Sequence, residues 1–416
     1  KKIQNLLKQN LIDYYLLNSL DSIAWLLNLR GNDIKYTPLN FANLIIPQNG
    51  KIELFIDINK VKSNLKYLNT FARIHPFHYL DDFIENIDLK KNIGFDENSV
   101  PYHYKNISQN IGLQIKNFEN PCLYFKAIKN KIELAGARKA NQRDGVSVTN
   151  FLYWLKKKMI IEETNEIKAA NFLFDLRKDN NLFHSLSFDT ISAIGHNAAM
   201  PHYKVTKNSN LNFSNDTIYL FDSGGQYRDG TTDITRTIII GKPTQEQKDR
   251  FTRVLKGHIA IAEIEFDQGT RGSKIDPFAR KSLLEIGCDY DHGTGHGIGS
   301  FLSVHEGPQR ISKSKNDNEG VMKKGMILSN EPGYYKEGEY GIRIENIIVV
   351  KEDTENQLKF ENISWAPIDR ELIDSEMLNI EELNWINDYH LKVFEKISGF
   401  LTLEEKNWLQ KVTKPL

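Results

Sequence analysis

Asp222, Asp233, His296, Glu331 and Glu345 are the residues whose types suit one piece of chemistry, the holding of two metal ions. Four carboxylates and one imidazole make a hard, oxygen-rich ligand set. Such a set favours manganese ahead of magnesium, cobalt or zinc. They stand in the segments FDSGGQYRDGTTDITRT, HGTGHGIG, SNEPGYY and GIRIEN, so five ligands from distant points must converge.

The elements that must position them are readable from side-chain pattern. Thr217 to Asp222 and Thr232 to Ile240 are β-branched and apolar, which predicts two strands. A hairpin symmetric about Tyr227 and Arg228 sets Asp222 opposite Asp233. Opposed carboxylates repel unless a cation sits between them; two solvated aspartates in a polar loop are the alternative. In Gly341–Glu345 the alternation puts Arg343 and Glu345 on one face and Ile342 and Ile344 on the other. A carboxylate entering a core needs a partner, and Arg343 itself is the alternative to a metal. Glu331 ends the apolar strand Met326-Ile327-Leu328 and precedes Pro332-Gly333.

His292 and His296 are four apart, as on a zinc-binding helix. Gly293, Gly295, Gly297 and Gly299 argue against a helix and for a strand or loop that lets other groups approach closely. No Gly-Lys-Ser/Thr and no G-x-G-x-x-G follows, so a phosphate loop is excluded. His305 makes three histidines within this stretch.

A chain of 416 residues is long for one core and divides into domains. Lys plus Arg equals Asp plus Glu at 54 each, so no global field draws the protein to nucleic acid or an anionic membrane. No apolar run reaches membrane-spanning length. The two cysteines, Cys122 and Cys288, are far apart and fit buried thiols in a reducing compartment. Residues 1–126 read as a small α/β domain: an opening helix with Leu6, Leu7, Leu11 and Tyr14 on one side, then strands Phe41–Ile46 and Ile52–Ile56. Asn49-Gly50 is a hairpin signal between them. Leu123-Tyr124-Phe125 reads as a last strand, and His75, His78 and His103 as solvated surface residues. From Lys131 a stripe of Leu134, Ala137, Val148, Phe151, Leu152, Leu155 and Met159 predicts a long helix. Thr164 is the expected N-cap of a second. Thr244 with Gln247, Asn379 with Glu382 and Thr402 with Glu405 spell capping boxes. Trp365, Leu383, Trp385, Ile386 and Trp408 serve either a dimer contact or core packing.

With its contexts, the order Asp, Asp, His, Glu, Glu resembles the pita-bread metallopeptidases: methionine aminopeptidase, prolidase and aminopeptidase P. The resemblance is greatest to the cytosolic eukaryotic type of aminopeptidase P (Xaa-Pro aminopeptidase) and covers nearly the whole chain. It is carried by Ile23 to Gly31, Gln226 to Asp233, His292 to Gly299, Phe301 to Pro308, Asn330 to Tyr335 and Gly341 to Asn346. It implies an α/β (α+β) architecture: a creatinase-like N-terminal domain over residues 1–126, the second of three with the first missing, and a pita-bread catalytic domain over 127–416 with a helical extension. It also implies two metal ions, manganese first, with Asp222 and Asp233 on one, Asp233 bridging, His296 and Glu331 completing the other, and Glu345 bridging both. His202, His292 and His305 match substrate and transition-state histidines, Arg343 a supporting arginine, and Tyr335 a residue near the substrate; His196 matches nothing. The implied reaction is hydrolytic removal of the residue preceding proline, by a hydroxide shared between the metals, with Glu331 carrying the proton. Prolidase and a non-catalytic pita-bread binding module are the alternatives. A cytoplasmic homodimer acting on peptides, with neither nucleic acid nor membrane as partner, completes the expectation; an additional acidic compartment is left open.

Overall fold

The computed structural model describes residues 1–314, 319–354 and 356–416. The chain forms two compact units, Lys1–Lys126 and Ala127–Leu416.

The first unit is built on a six-stranded mixed sheet. Its spatial order is Ala72–His75, Ile52–Ile56, Ala42–Pro47, Tyr14–Leu17, Asn92–Phe95 and Gln114–Asn117. The Asn-Gly hairpin is present: Ala42–Pro47 pairs antiparallel with Ile52–Ile56, and Gly50 takes φ +89, which only glycine adopts without strain. Three local expectations fail. The opening helix ends at Gln9, burying Ile3 and Leu7, and Tyr14 starts the central strand. Competition from sheet pairing ended the helix early, because Tyr14 and Tyr15 gain partners on both sides. Leu123–Ala127 is a helical turn, not a strand. His75 is not solvated: its ring stacks between Phe55 and Tyr79, and Nε2 lies 2.7 Å from buried Glu53.

The second unit packs helices around antiparallel sheets. One has the order Ile234–Ile240, Thr217–Ser223, Ile191–Ile194. A six-stranded sheet runs Glu265–Asp267, Gln357–Asn362, Asn346–Thr354, Ile327–Asn330, Gly295–Gly297, Glu306–Ile311. A separate hairpin pairs Gly333–Lys336 with Tyr340–Arg343. The long helix Lys131–Lys157 is capped by Asn130 and Glu133 in a reciprocal box and buries Val148, Phe151, Leu152 and Leu155. Met159 lies past its end but still packs on the core. The next helix, Glu166–Lys178, is capped by Asn165, whose side chain accepts from Lys168 N; Thr164 instead donates to Ile160 O. All three predicted capping boxes are formed, opening helices Gln245–Glu263, Ile380–Ile397 and Leu403–Val412. Ile386 and Trp408 lie in the main core, with Trp365 and Trp385 packed against it, so these residues serve packing within one chain. Both cysteines are free thiols.

Candidate metal centre

Asp222 lies on the strand Thr217–Ser223 and Asp233 at the entry to its antiparallel neighbour, in a register two residues from the expected one. The turn is centred on Arg228-Asp229, with Tyr227 paired to Gly230, so Asp222 faces Thr235 rather than Asp233. Gly230 sets this centre: a Cβ there would press at 3.0 Å on Ala140 of the long helix. Asp233 lies just outside the strand Ile234–Ile240, and its carboxylate still reaches the same site.

Asp233, His296 and Glu345 offer ligand atoms that all lie within 4.8 Å of one another. His296 Nε2 is 3.5 Å from Asp233 Oδ2 and 3.4 Å from Glu331 Oε1. The ring orientation has a cause. Nδ1 sits 2.9 Å from the Gly297 carbonyl, which can only accept, so Nδ1 carries the proton and the Nε2 lone pair faces the carboxylates. The strand Gly295–Gly297 needs its glycines, since a Cβ at Gly295 would lie 2.1 Å from Ser329 O. Glu345 joins the strands Tyr340–Arg343 and Asn346–Thr354 and is buried.

Arg343 is not the partner of Glu345. It donates to Asp222 Oδ2 at 2.7 Å and to the Tyr335 hydroxyl at 2.6 Å. Glu345 Oε2 instead accepts from the Thr235 hydroxyl at 2.7 Å. His292 donates from Nδ1 to the Gly293 carbonyl at 2.8 Å and accepts the Tyr335 hydroxyl proton at Nε2, 2.8 Å away. The His305 ring meets His296 edge to face at 4.2 Å. His202 lies close enough to His292 and His305 for their charges to interact. His196 is exposed.

The electrostatics say what the site lacks. Burial, then Glu345, Asp222 and Glu331, hold the Asp233 carboxyl well above its ordinary range. Burial, then Asp222 and Glu331, do the same to Glu345. Burial pushes Glu331 up to about 7, although Arg343 opposes it. Burial lowers the imidazoles, His292 to about 3 and His305 to about 4. Asp222 Oδ1 and Asp233 Oδ1 are buried and accept no hydrogen bond among the described residues. Four clustered carboxylates with two orphaned oxygens, and a guanidinium already engaged, form a cradle for divalent cations. The residues fit two metal ions.

Three contributors were missed. Ser329 donates to Glu331 Oε1 and accepts from His296 N, both at 2.9 Å, coupling those residues. Thr235 and Thr237 join Asp233 on one strand face, and Thr237 exchanges two hydrogen bonds with the Arg343 backbone. The polar alternation Asp233, Thr235, Thr237 inside an apolar strand was the available signal.

Fold and site together define a metallopeptidase. The profile of metallopeptidase family M24 matches residues 135–352, the creatinase/prolidase N-terminal domain matches 1–133, and the C-terminal region of peptidase M24 matches 356–416. The chain belongs to metallopeptidase family M24 and is a hydrolase with a creatinase-like N-terminal domain and a pita-bread catalytic domain. It is 41% identical to Xaa-Pro aminopeptidase 1 of Dictyostelium discoideum, over 100% of this chain and 68% of that protein. The crystal structure of X-prolyl aminopeptidase from Caenorhabditis elegans, described as a cytosolic enzyme with a di-nuclear active site, matches with a TM-score of 0.93. That match has 34% identity and covers 100% of this chain and 70% of that one. Prolidase from Pyrococcus furiosus shares the fold, with a TM-score of 0.69 and 22% identity over 87% of this chain and 98% of its own. Among the described residues no helix is long and apolar enough to cross a membrane.

Proposed function

We propose that the chain is a metalloaminopeptidase that removes the N-terminal residue from peptides with proline in second position. The observation that carries this reading is the gathering of buried Asp233 and Glu345 with half-buried Glu331 and the His296 Nε2 lone pair, with Asp222 beside them. In this reading Asp222, Asp233, His296, Glu331 and Glu345 hold two divalent ions, manganese by the hardness of the donors. When bound, the ions supply a water of lowered pKa and polarise the scissile carbonyl.

The chain's own residues do the rest. Glu331, held by Ser329, takes the water proton and delivers it to the leaving prolyl nitrogen, a secondary amine that departs poorly unless protonated. His202 and His305 hydrogen-bond the carbonyl oxygen as negative charge develops on it. His292 and Tyr335, locked together through the hydroxyl, wall the space for the proline ring, which offers no N–H to recognise. Arg343 fixes Asp222 and Tyr335 at once. Residues 1–126 act as the creatinase/prolidase-like domain and 127–416 as the catalytic one. The working form is a cytoplasmic homodimer.

The test is Mn²⁺-stimulated, EDTA-sensitive release of arginine from Arg-Pro-Pro, with Arg-Ala-Pro as control. Equal cleavage of both peptides overturns the proline requirement. Cleavage of an Xaa-Pro dipeptide but not the tripeptide turns the reading to prolidase. A folded protein that takes up no metal turns it to a binding module.

A further inference from the structure

The loop that carries His202 is held by one buried carboxylate. Glu166 is the first residue of the helix Glu166–Lys178 and is fully buried. Its side chain turns away from the helix into the 194–211 segment. Oε1 accepts from Ile194 N at 2.8 Å and from Asn197 Nδ2 at 2.9 Å. Oε2 accepts from Leu211 N at 3.0 Å and from the Tyr203 hydroxyl at 3.0 Å. The carboxylate thus grips the segment at its start, at its end, and at the residue beside His202.

The Glu166 backbone adds to this grip. Its carbonyl accepts from the Ser192 hydroxyl at 2.8 Å, and its N–H donates to Leu211 O at 3.1 Å. The other side of the segment is fixed by packing. A Cβ at Gly341 would lie 1.8 Å from Ala198 O, so Gly195–Ala199 rests directly on the strand that leads to Arg343. Between these two anchors His202 itself is exposed and lies close enough to His292 and His305 for their charges to interact. Every group around the carboxylate is an N–H or O–H donor. Only an acceptor on both oxygens satisfies them, and an amide would set its NH2 against donors.

We propose that Glu166 is a positioning residue, whose carboxylate sets the 194–211 loop so that His202 is presented to the substrate carbonyl. The proposal rests on the function argued above. Displacing a reacting group by about 1 Å can cost on the order of 100-fold in rate. Glu166→Gln is therefore expected to lower kcat on Arg-Pro-Pro by about 10- to 100-fold, with KM and bound metal little changed.

A double-mutant cycle with His202→Ala separates positioning from general damage. If Glu166 acts through His202, Glu166→Gln costs almost nothing further in the His202→Ala background. Equal losses in both backgrounds overturn the proposal. Tyr203→Phe, which removes one bond to the carboxylate together with the hydroxyl's contacts to Ser209 and Asn197, is carried through the same cycle and decides the matter if Glu166→Gln does not fold. Hydrogen exchange on metal-free protein reads the loop without turnover. Glu166→Gln is expected to raise exchange across 194–211 while the 166–178 helix keeps its protection; unchanged exchange in the loop overturns the proposal. A wild-type protein inactive on Arg-Pro-Pro counts against the proposed function, and the exchange experiment still decides the role of Glu166 in the loop.

Discussion

Asp222 and Ser223 are adjacent on one strand, and their side chains feed two buried polar clusters of opposite character. On one face, Ser223 bonds Arg177, which makes a bidentate pair with Asp144 at 2.7 and 3.0 Å. Asp144 also accepts from the Tyr227 hydroxyl at 2.7 Å. Charge is matched and the carboxylate is saturated. On the other face, Asp222 joins Asp233, Glu331 and Glu345; burial and neighbouring carboxylates raise Asp233 and Glu345, and two oxygens have no donor among the described residues. Burial is common to both. The missing counter-charge is what marks the second as a site and the first as a girder.

The largest expected effect tests the unmatched cluster at its proton carrier. Glu331→Gln keeps the shape but cannot carry a proton, and should lower kcat by about 10²- to 10⁴-fold or more with metal content retained. Near-normal rates at full metal loading would remove Glu331 from that role. The matched cluster should respond in stability instead. Asp144→Ala leaves Arg177 charged and buried, which costs about 3–5 kcal/mol; urea unfolding of both proteins reads it, and a loss below 1 kcal/mol would break the contrast.

A subtler effect returns to the metal side. At about 100 times its Kd, Mn²⁺ should stabilise the fold by about 2.7 kcal/mol. Asp233→Asn should abolish that gain, yet raise the melting temperature of the metal-free protein by relieving repulsion. A less stable metal-free variant would contradict the unmatched charge.

The smallest effect concerns histidines that belong to neither cluster. His258 and His390 are buried, and burial first, then nearby arginines, lowers each to about 3. An unfolded histidine titrates near 6.5. The unfolded chain therefore takes up protons first. This contribution is complete above pH ~6.5 and is lost as pH falls through that value towards 3, at about 1.4 kcal/mol per histidine per pH unit. His390→Gln should reduce the slope of stability against pH between about 6.5 and 5 by about 1 kcal/mol per pH unit. An unchanged slope would mean that His390 is not held neutral.

Local signals were legible where a few neighbouring residues decide the outcome. The capping boxes at Thr244, Asn379 and Thr402 formed because donor and acceptor lie three residues apart on one turn. The Asn49-Gly50 hairpin formed for a similar reason. Register was not legible, because a shift of two residues keeps the same face of each strand inward and leaves the composition of both unchanged; the close packing of Gly230 on the long helix accompanies the register formed. Tyr14 and Leu123 were misassigned because sheet pairing and packing outweigh propensity in short segments.

The chain alone determined its residue types and their order: four acids and one imidazole in glycine-rich contexts that imply a metallopeptidase. Only the folded molecule decided which oxygens lack donors, that Arg343 serves Asp222 rather than Glu345, and that Glu166 grips the His202 loop. The reason is physical. Hydrogen-bond saturation and charge balance belong to contacts between residues far apart in sequence, and no local pattern encodes them.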